Sequence, residues 1–248
     1  MLAHALTEPD DRAPVVLYLH GLGIAGWCWE PVWSALPDLA ALVPDLPGHG
    51  GSAHIAWASL EDTAARVGAL VDTLPADRAV HVTGHSLGAY VAALLLAAQP
   101  DRFASAMLSG FHLGAAERPL LLKLAYAVNG LVFRVPPLLR RFATVFGDAA
   151  TAERFIDGAQ AIRSRTIRRA GMQVVDFQSP LAPGTLRIPT LAIAADGEPG
   201  PIRTMPATLE RRFEACRGVV LEGRGHLWPL KEPALYAEML GTHIRAQA

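Results

Sequence analysis

The sequence predicts an α/β fold: a mostly parallel central sheet, helices on both of its faces, and an inserted helical cap. Short apolar runs alternate with helical patterns, glycines stop most of these runs, and one long helical stretch interrupts the alternation. Continuous apolar strands separated by helices are typical of parallel sheets that are covered on both faces. The 248 residues suit a single domain that carries an insertion.

Six apolar runs are predicted as strands, at residues 15–20, 41–44, 79–83, 104–109, 190–195 and 219–221. Helical patterns lie between or after them, at residues 60–74, 88–99, 205–216 and 233–244. Active residues of such sheets lie in loops beyond the carboxyl ends of the strands. The turns that follow the six runs are therefore where functional side chains are expected.

Residues 111–187, called the insertion below, break the alternation and are mostly helical in pattern, with a turn signal at Pro136-Pro137. We predict a core of residues 1–110 and 188–248 and a helical cap of residues 111–187. The insertion has eleven basic and five acidic residues, whereas the remainder has eleven basic and eighteen acidic ones. This excess indicates either a solvated helical surface or attraction of an anionic substrate or an acidic carrier protein.

The whole-chain composition gives no indication of several classes of partner and site. A formal net charge of −1 and a pI of about 6.8 do not call for nucleic acid or an anionic membrane as partner. The start of the chain lacks a signal-peptide pattern, and no apolar stretch approaches the roughly 18 residues of a membrane span, so a cytoplasmic protein is expected. Cys28 and Cys216 make neither a disulfide framework nor a zinc site. We expect no metal and no cofactor.

Residues 84–88 read Gly-His-Ser-Leu-Gly and match the pattern G-x-S-x-G directly after an apolar run and before an Ala/Leu-rich helix. In that context the serine occupies a sharp strand-to-helix turn, which small flanking residues allow to close. The helix N-terminus next to it favours developing negative charge. The pattern predicts Ser86 as a nucleophile.

A serine hydroxyl needs a base, and the base needs a carboxylate that fixes its tautomer. His226 follows the last apolar run, and a loop there can reach over the sheet edge toward Ser86. Asp196 and Glu198 both follow the fifth run, so either satisfies the order serine, acid, histidine. We predict His226 as the base and leave both acids open at this point.

An oxyanion hole requires backbone donors that point at the oxygen that becomes charged. The N–H of Leu87, which follows the nucleophile, is one expected donor. The loop after the first run, His20-Gly21-Leu22-Gly23, is expected to supply the second, since its glycines allow close approach to a substrate. We assign the second donor to Leu22.

Together these residues resemble the α/β-hydrolase superfamily, in its capped, single-domain serine hydrolase form. The motifs that carry the resemblance are residues 20–23, 45–52, 84–88, 188–191 and 225–226. In that family an aspartate commonly stands nine residues after the proline of the fifth strand, often with another proline close behind. Glu198, followed by Pro199, holds that position here, so the resemblance favours Glu198 over Asp196. The family's usual glycine in the strand end is replaced by Ala195.

The resemblance implies that the insertion covers an active site that hydrolyses the ester or thioester of a small, largely apolar acyl group, as in a carboxylesterase. Trp27, Tyr126 and Phe133 are expected to wall the acyl pocket, with simple packing as the alternative. Carbon–carbon bond hydrolysis and acyl transfer use the same residues and remain alternatives, as does a ligand-binding protein without turnover. The serine argues against haloalkane dehalogenase and epoxide hydrolase chemistry, whose nucleophile in this superfamily is an aspartate.

Overall fold

Seven strands form one sheet in the order β1-β3-β2-β4-β5-β6-β7. The computed structural model describes residues 1–114, 119–132, 135–146, 148–182 and 186–247, with the backbone alone at 129–132. The strands are β1 His4–Thr7, β2 Val15–Leu19, β3 Ala40–Pro44, β4 Val80–His85, β5 Ser105–Ser109, β6 Thr190–Ala195 and β7 Cys216–Leu221. The six strands predicted from apolar runs are all present, with ends shifted by up to three residues.

Every pair from β3 to β7 is parallel, and only β1 pairs antiparallel, with β3. Strand β1 was not predicted, because its four residues are all exposed and carry no apolar run. The central strands are buried on both faces, as the parallel arrangement requires. In β2, for example, Leu17 packs into one core layer and Tyr18 into the other.

Eleven α-helices accompany these strands in the described part of the chain. They are α1 Glu30–Trp33, α2 Leu60–Val71, α3 Leu87–Ala98, α4 Pro119–Val132, α5 Pro136–Ala143, α6 Ala149–Ala161, α7 Ser164–Val175, α8 Gly200–Arg203, α9 Met205–Arg212, α10 Trp228–Lys231 and α11 Pro233–Arg245. Three 3₁₀ turns lie at Gly26–Trp29, Gly50–Ser52 and Thr144–Phe146. The helix predicted over 205–216 ends at Arg212, because Cys216 already pairs with β6 as the start of β7.

Helices α4 to α7 lie in the insertion, between β5 and β6. Helix α4 packs along α7, where Gly171 leaves room for the ring of Tyr126 and Lys123 forms an ion pair with Asp176 at 2.7 Å. Because residues 123 and 126 face residues 176 and 171, the two helices run antiparallel. None of the helices described is both long and apolar enough to cross a membrane.

Candidate active site

Ser86 lies between β4 and α3 with φ of 53°, the one positive φ among the described residues other than glycine. Such a backbone conformation costs roughly 1–3 kcal/mol and persists only where the surroundings impose it. The flanking glycines make the turn possible. A Cβ on Gly84 would lie 2.6 Å from the carbonyl oxygen of Gly88, and a Cβ on Gly88 would collide with the carbonyl of Leu19. The turn therefore raises the Ser86 hydroxyl above the carboxyl edge of the sheet.

His226 lies in the loop between β7 and α10 and contacts Ser86. Its Nε2 lies 3.0 Å from the Oγ of Ser86, and its Nδ1 lies 2.5 Å from Oε1 of Glu198. A carboxylate accepts only, so Nδ1–H donates to Glu198 and Nε2 accepts the hydrogen of the serine hydroxyl. The three side chains form one continuous line of hydrogen bonds.

The structure places the two candidate acids differently. Glu198 is 3% exposed, and its second oxygen accepts the N–H of Ala195 at 2.7 Å, which fixes the carboxylate toward His226. Asp196 is exposed and accepts the N–H groups of Gly223 and Arg224 at 2.9 and 3.1 Å. The bond from Gly223, aided by that from Arg224, lowers the pKa of Asp196. Asp196 thus ties the loop after β7 to the loop after β6, and only Glu198 contacts the histidine.

The loop after β2 passes directly beside the serine. A Cβ on Gly21 would lie 3.6 Å from the Cβ of Ser86. Within the described chain the N–H groups of Leu22 and Leu87 have no acceptor. The N–H of Leu87 belongs to the first turn of α3, where helix geometry leaves donors unpaired. Both N–H groups predicted as donors are therefore free of protein partners on elements that adjoin Ser86.

Two buried histidines hold this loop. The Nδ1–H of His20 donates to the carbonyl of Gly21 at 2.8 Å, and its Nε2 accepts the N–H of Leu46 at 3.0 Å. His49 is arranged likewise, with Nδ1–H donating to Pro47 and Nε2 accepting the N–H of Gly23. Burial lowers the pKa of His20 to about 4 and that of His49 to about 3, so both are neutral. These positioning roles were not predicted, because only the motifs around them were visible in the sequence.

The site opens into a mainly apolar cavity of about 500 Å³. It is lined by Ser86, Tyr90, Gly110, His112, Leu121, Leu122, Tyr126, Val174, Val175, Pro199, Pro201, Ile202 and His226. The core contributes the reactive side chains, while α4 and α7 of the insertion contribute much of the apolar wall. Burial lowers the pKa of His112, which leaves a neutral imidazole among these groups.

The three residues predicted to wall the pocket lie in different places. Tyr126 lines the cavity. Trp27 does not: it packs against Phe146, and the guanidinium of Arg154 lies 5.1 Å from its ring centre, in a separate surface cleft. Residues 20–23, which follow β2, are called the glycine loop below. The prediction for Trp27 was wrong because the 3₁₀ turn Gly26–Trp29, which comes after this loop, carries the ring of Trp27 away from Ser86. Phe133 lies outside the described residues.

Nothing near the serine is arranged as a metal site: in the described ranges no three His, Cys, Asp or Glu side chains cluster as ligands would. Cys28 and Cys216 are both buried free thiols.

Comparison with known proteins agrees with this architecture. Residues 16–239 match the model of the alpha/beta hydrolase family. An AB hydrolase superfamily protein of Gibberella zeae is 28% identical over 245 residues, which cover 94% of this chain and 80% of that protein. Lipase LipV of Mycobacterium tuberculosis is 38% identical over 93 residues, 38% of this chain and 35% of the lipase. A thermophilic esterase from Thermogutta terrifontis superposes with a TM-score of 0.75 at 21% identity, covering 99% of this chain and 93% of the esterase.

Proposed function

The chain belongs to the alpha/beta hydrolase family, and on that premise we propose that it is a carboxylesterase-like serine hydrolase of small, largely apolar acyl esters or thioesters. The observation that carries the proposal is the unbroken line of hydrogen bonds from Ser86 through His226 to Glu198. A serine, a histidine and a buried carboxylate in this arrangement are the parts that nucleophilic acyl transfer requires.

In the first half of the proposed reaction, the Oγ of Ser86 attacks the carbonyl carbon while Nε2 of His226 takes the hydroxyl proton. The imidazolium that forms is stabilised by Glu198, whose burial and second hydrogen bond keep it aimed at Nδ1. The tetrahedral intermediate then collapses. His226 returns its proton to the leaving alcohol or thiol, and the acyl group stays on Ser86.

In the second half, water enters the site and His226 removes its proton as the water attacks the acyl carbon. The second tetrahedral intermediate collapses, the acid leaves, and the proton returns to the Oγ of Ser86. In both halves the charged oxygen lies between the free N–H groups of Leu22 and Leu87. Loss of one such donor typically costs about 10²–10³ in rate.

The proposed substrate class follows from the cavity. Its lining is mainly aliphatic and aromatic, and beyond Ser86 and His226 its polar side chains are His112, Tyr90 and Tyr126. An uncharged, mostly hydrocarbon acyl group buries its surface there without leaving a charge unpaired. The names of two relatives, a lipase and an esterase, support ester chemistry for this chain as well.

A fluorophosphonate probe tests the nucleophile, since it labels only an activated serine. We expect labelling of the wild type, and none of Ser86→Ala at equal protein concentration. Ser105→Ala is the matched control, because Ser105 is also buried and also bonds a histidine, His81, but lies in β5 and does not line the cavity. No labelling of the native protein, while a reference esterase reacts, would support a ligand-binding protein without turnover. Equal labelling of Ser86→Ala would move the nucleophile elsewhere.

A panel of p-nitrophenyl esters of increasing chain length, run beside a thioester, tests the substrate class. Hydrolysis that rises with acyl length and then falls as the cavity fills would support the proposal. Labelling of Ser86 without hydrolysis of any ester or thioester would instead favour carbon–carbon bond hydrolysis or acyl transfer on the same residues.

A further inference from the structure

Helix α4 has an unusual surface for a helix on the outside of a protein. Of its first ten residues, 119–128, only Lys123 and Tyr126 are not exposed, and every exposed side chain is proline, leucine, alanine or valine. Leu120 is 83% exposed and Leu124 is 62% exposed. An exposed apolar patch of this kind marks an interaction site.

The helix packed beside it, α7, is strongly basic on its outer side. Arg165, Arg168, Arg169 and Met172 follow the spacing i, i+3, i+4, i+7 and are all exposed, so they form one stripe along the helix. None of the three arginines has a carboxylate partner within the described chain. The buried side of α7 faces α4 through Gly171, which contacts Tyr126. The stripe meets α4 at its C-terminal end, where Asp176, four residues after Met172, forms the ion pair with Lys123.

The apolar surface is continuous with the cavity above Ser86. Leu121 and Leu122 line that cavity and are also exposed, at 59% and 37%. Leu121 and Leu122 therefore belong both to the exposed surface of α4 and to the wall of the cavity.

We propose that α4 and the arginine stripe of α7 form a docking surface for an anionic phospholipid bilayer. Leucine side chains enter the outer acyl region, as in amphipathic helices that lie on membranes, while arginines bind the phosphates. A second copy of this chain is a poor occupant, since a two-fold interface pairs this patch with itself. The described residues of α4 and α7 include no carboxylate for the arginines, and Asp176 at the end of α7 is already paired with Lys123. An acidic protein surface pairs with the arginines but offers the leucines no apolar partner. An anionic bilayer offers phosphates to the arginines and acyl chains to the leucines.

Vesicle co-sedimentation tests the proposal without catalysis, in the Ser86→Ala background, so that its outcome is independent of the proposed hydrolase activity. The probes are phosphatidylcholine vesicles and vesicles that also contain phosphatidylglycerol. We expect binding to the anionic vesicles to be at least about tenfold tighter than to the neutral ones and to weaken with added salt. The double substitution Leu120→Ser/Leu124→Ser should weaken binding about tenfold.

Charge reversal of Arg165, Arg168 and Arg169 to Glu should abolish binding to anionic vesicles. The matched control reverses three exposed arginines elsewhere, Arg12, Arg211 and Arg217, and should bind within about twofold of the parent. All of these variants should keep the circular dichroism spectrum and melting temperature of the parent, which shows that they are folded.

Three results would overturn the proposal: no preference for anionic vesicles, binding that survives the substitutions on α4 and α7, or the same loss in the control variant. Tight binding of an acidic acyl carrier protein through the three arginines, without vesicle binding, would replace it with a protein partner. A dimer in sedimentation velocity that dissociates in Leu120→Ser/Leu124→Ser, again without vesicle binding, would replace it with a second copy of the chain.

Discussion

The imidazole rings of His85 and His226 pack against each other with their centres 4.7 Å apart. His85 precedes Ser86 in the chain, is buried, and shares a hydrogen bond of 2.9 Å with the hydroxyl of Ser109 through Nδ1. Burial holds its pKa well below the ordinary value, so the ring is neutral. Gly110 makes the contact possible, since a Cβ there would lie 2.7 Å from His85 and 3.0 Å from His226. His85 therefore supports the ring of His226 from the side of the sheet.

Replacing His85 by Leu should lower kcat by about tenfold to a hundredfold and leave KM nearly unchanged. The base loses the ring that holds its orientation, and small errors in the position of a base are costly in rate. Steady-state kinetics on an activated ester measure the effect. His85→Gln keeps a group that can bond Ser109 and should recover part of kcat. A fall in thermal stability with unchanged kcat would show that His85 serves packing alone.

Glu198→Gln should lower kcat by roughly 10²–10⁴, because an amide does not stabilise imidazolium and permits the wrong tautomer of His226. Asp196→Asn is the matched control two residues away. It should stay within about threefold of the wild-type kcat, since Asp196 accepts backbone N–H groups of the loop and does not contact the histidine. Larger loss of kcat in Asp196→Asn than in Glu198→Gln would reverse the assignment.

Gly88→Ala should destabilise the fold by about 3 kcal/mol or more, since its methyl group would occupy the position of the Leu19 backbone. Chemical denaturation of the purified variant, or its failure to accumulate as folded protein, measures this. Gly158→Ala is the control: the added Cβ meets Trp27 at an ordinary 3.8 Å within helix α6, and we expect a gain of about 0.5–1 kcal/mol. Equal unfolding free energies for Gly88→Ala and Gly158→Ala would refute the close approach of residue 88 to the Leu19 backbone.

The buried histidines His20 and His49, which hold the glycine loop in place, predict that the fold is sensitive to acid. The pKa values of His20 and His49 are lowered to about 4 and about 3 in the folded protein, whereas the unfolded chain protonates near 6.5. Below pH 6.5 the unfolded state therefore binds more protons than the folded state, so the stability that these neutral histidines contribute is fully present above that pH. The contribution of His20 is lost as the pH falls from 6.5 to about 4, and that of His49 as it falls from 6.5 to about 3.

Urea unfolding at a series of pH values checks this. His49→Gln cannot be protonated in this range, so its unfolding free energy should depend less steeply on pH than that of the wild type. Parallel pH profiles for the two proteins would contradict the assignment. His54→Gln, an exposed histidine in the following turn, should retain the wild-type profile.

The predictable parts of this fold are those that local sequence patterns determine. Continuous apolar runs gave six strands because a parallel sheet buries both faces of each strand. Ser86 was visible because its turn needs glycines at fixed spacing. Strand β1 was not, since an exposed edge strand is held by pairing with β3 and not by its own apolar pattern.

The choice between Asp196 and Glu198 depended on geometry that no local pattern contains. The resemblance favoured Glu198, while the residues alone left both open. In the structure the loop after β6 distinguishes the two acids. The N–H of Ala195 donates to one carboxylate oxygen of Glu198, and the other oxygen faces His226. The contact of His85 with His226 likewise joins residues 141 positions apart through tertiary packing alone.

Tyr126 and Trp27 provide the sharpest test of the pocket, because the sequence suggested both and the structure keeps only Tyr126 there. Tyr126→Ala removes a ring from the cavity wall, so the preferred acyl chain should lengthen by about two to four methylenes, each worth about 0.8 kcal/mol when buried. Trp27→Ala should leave chain-length preference unchanged, since its ring contacts Phe146 and Arg154 in another cleft. The measurement is kcat/KM across the ester series for both variants. An altered preference in Trp27→Ala with none in Tyr126→Ala would mean that the acyl group lies on the other side of the glycine loop.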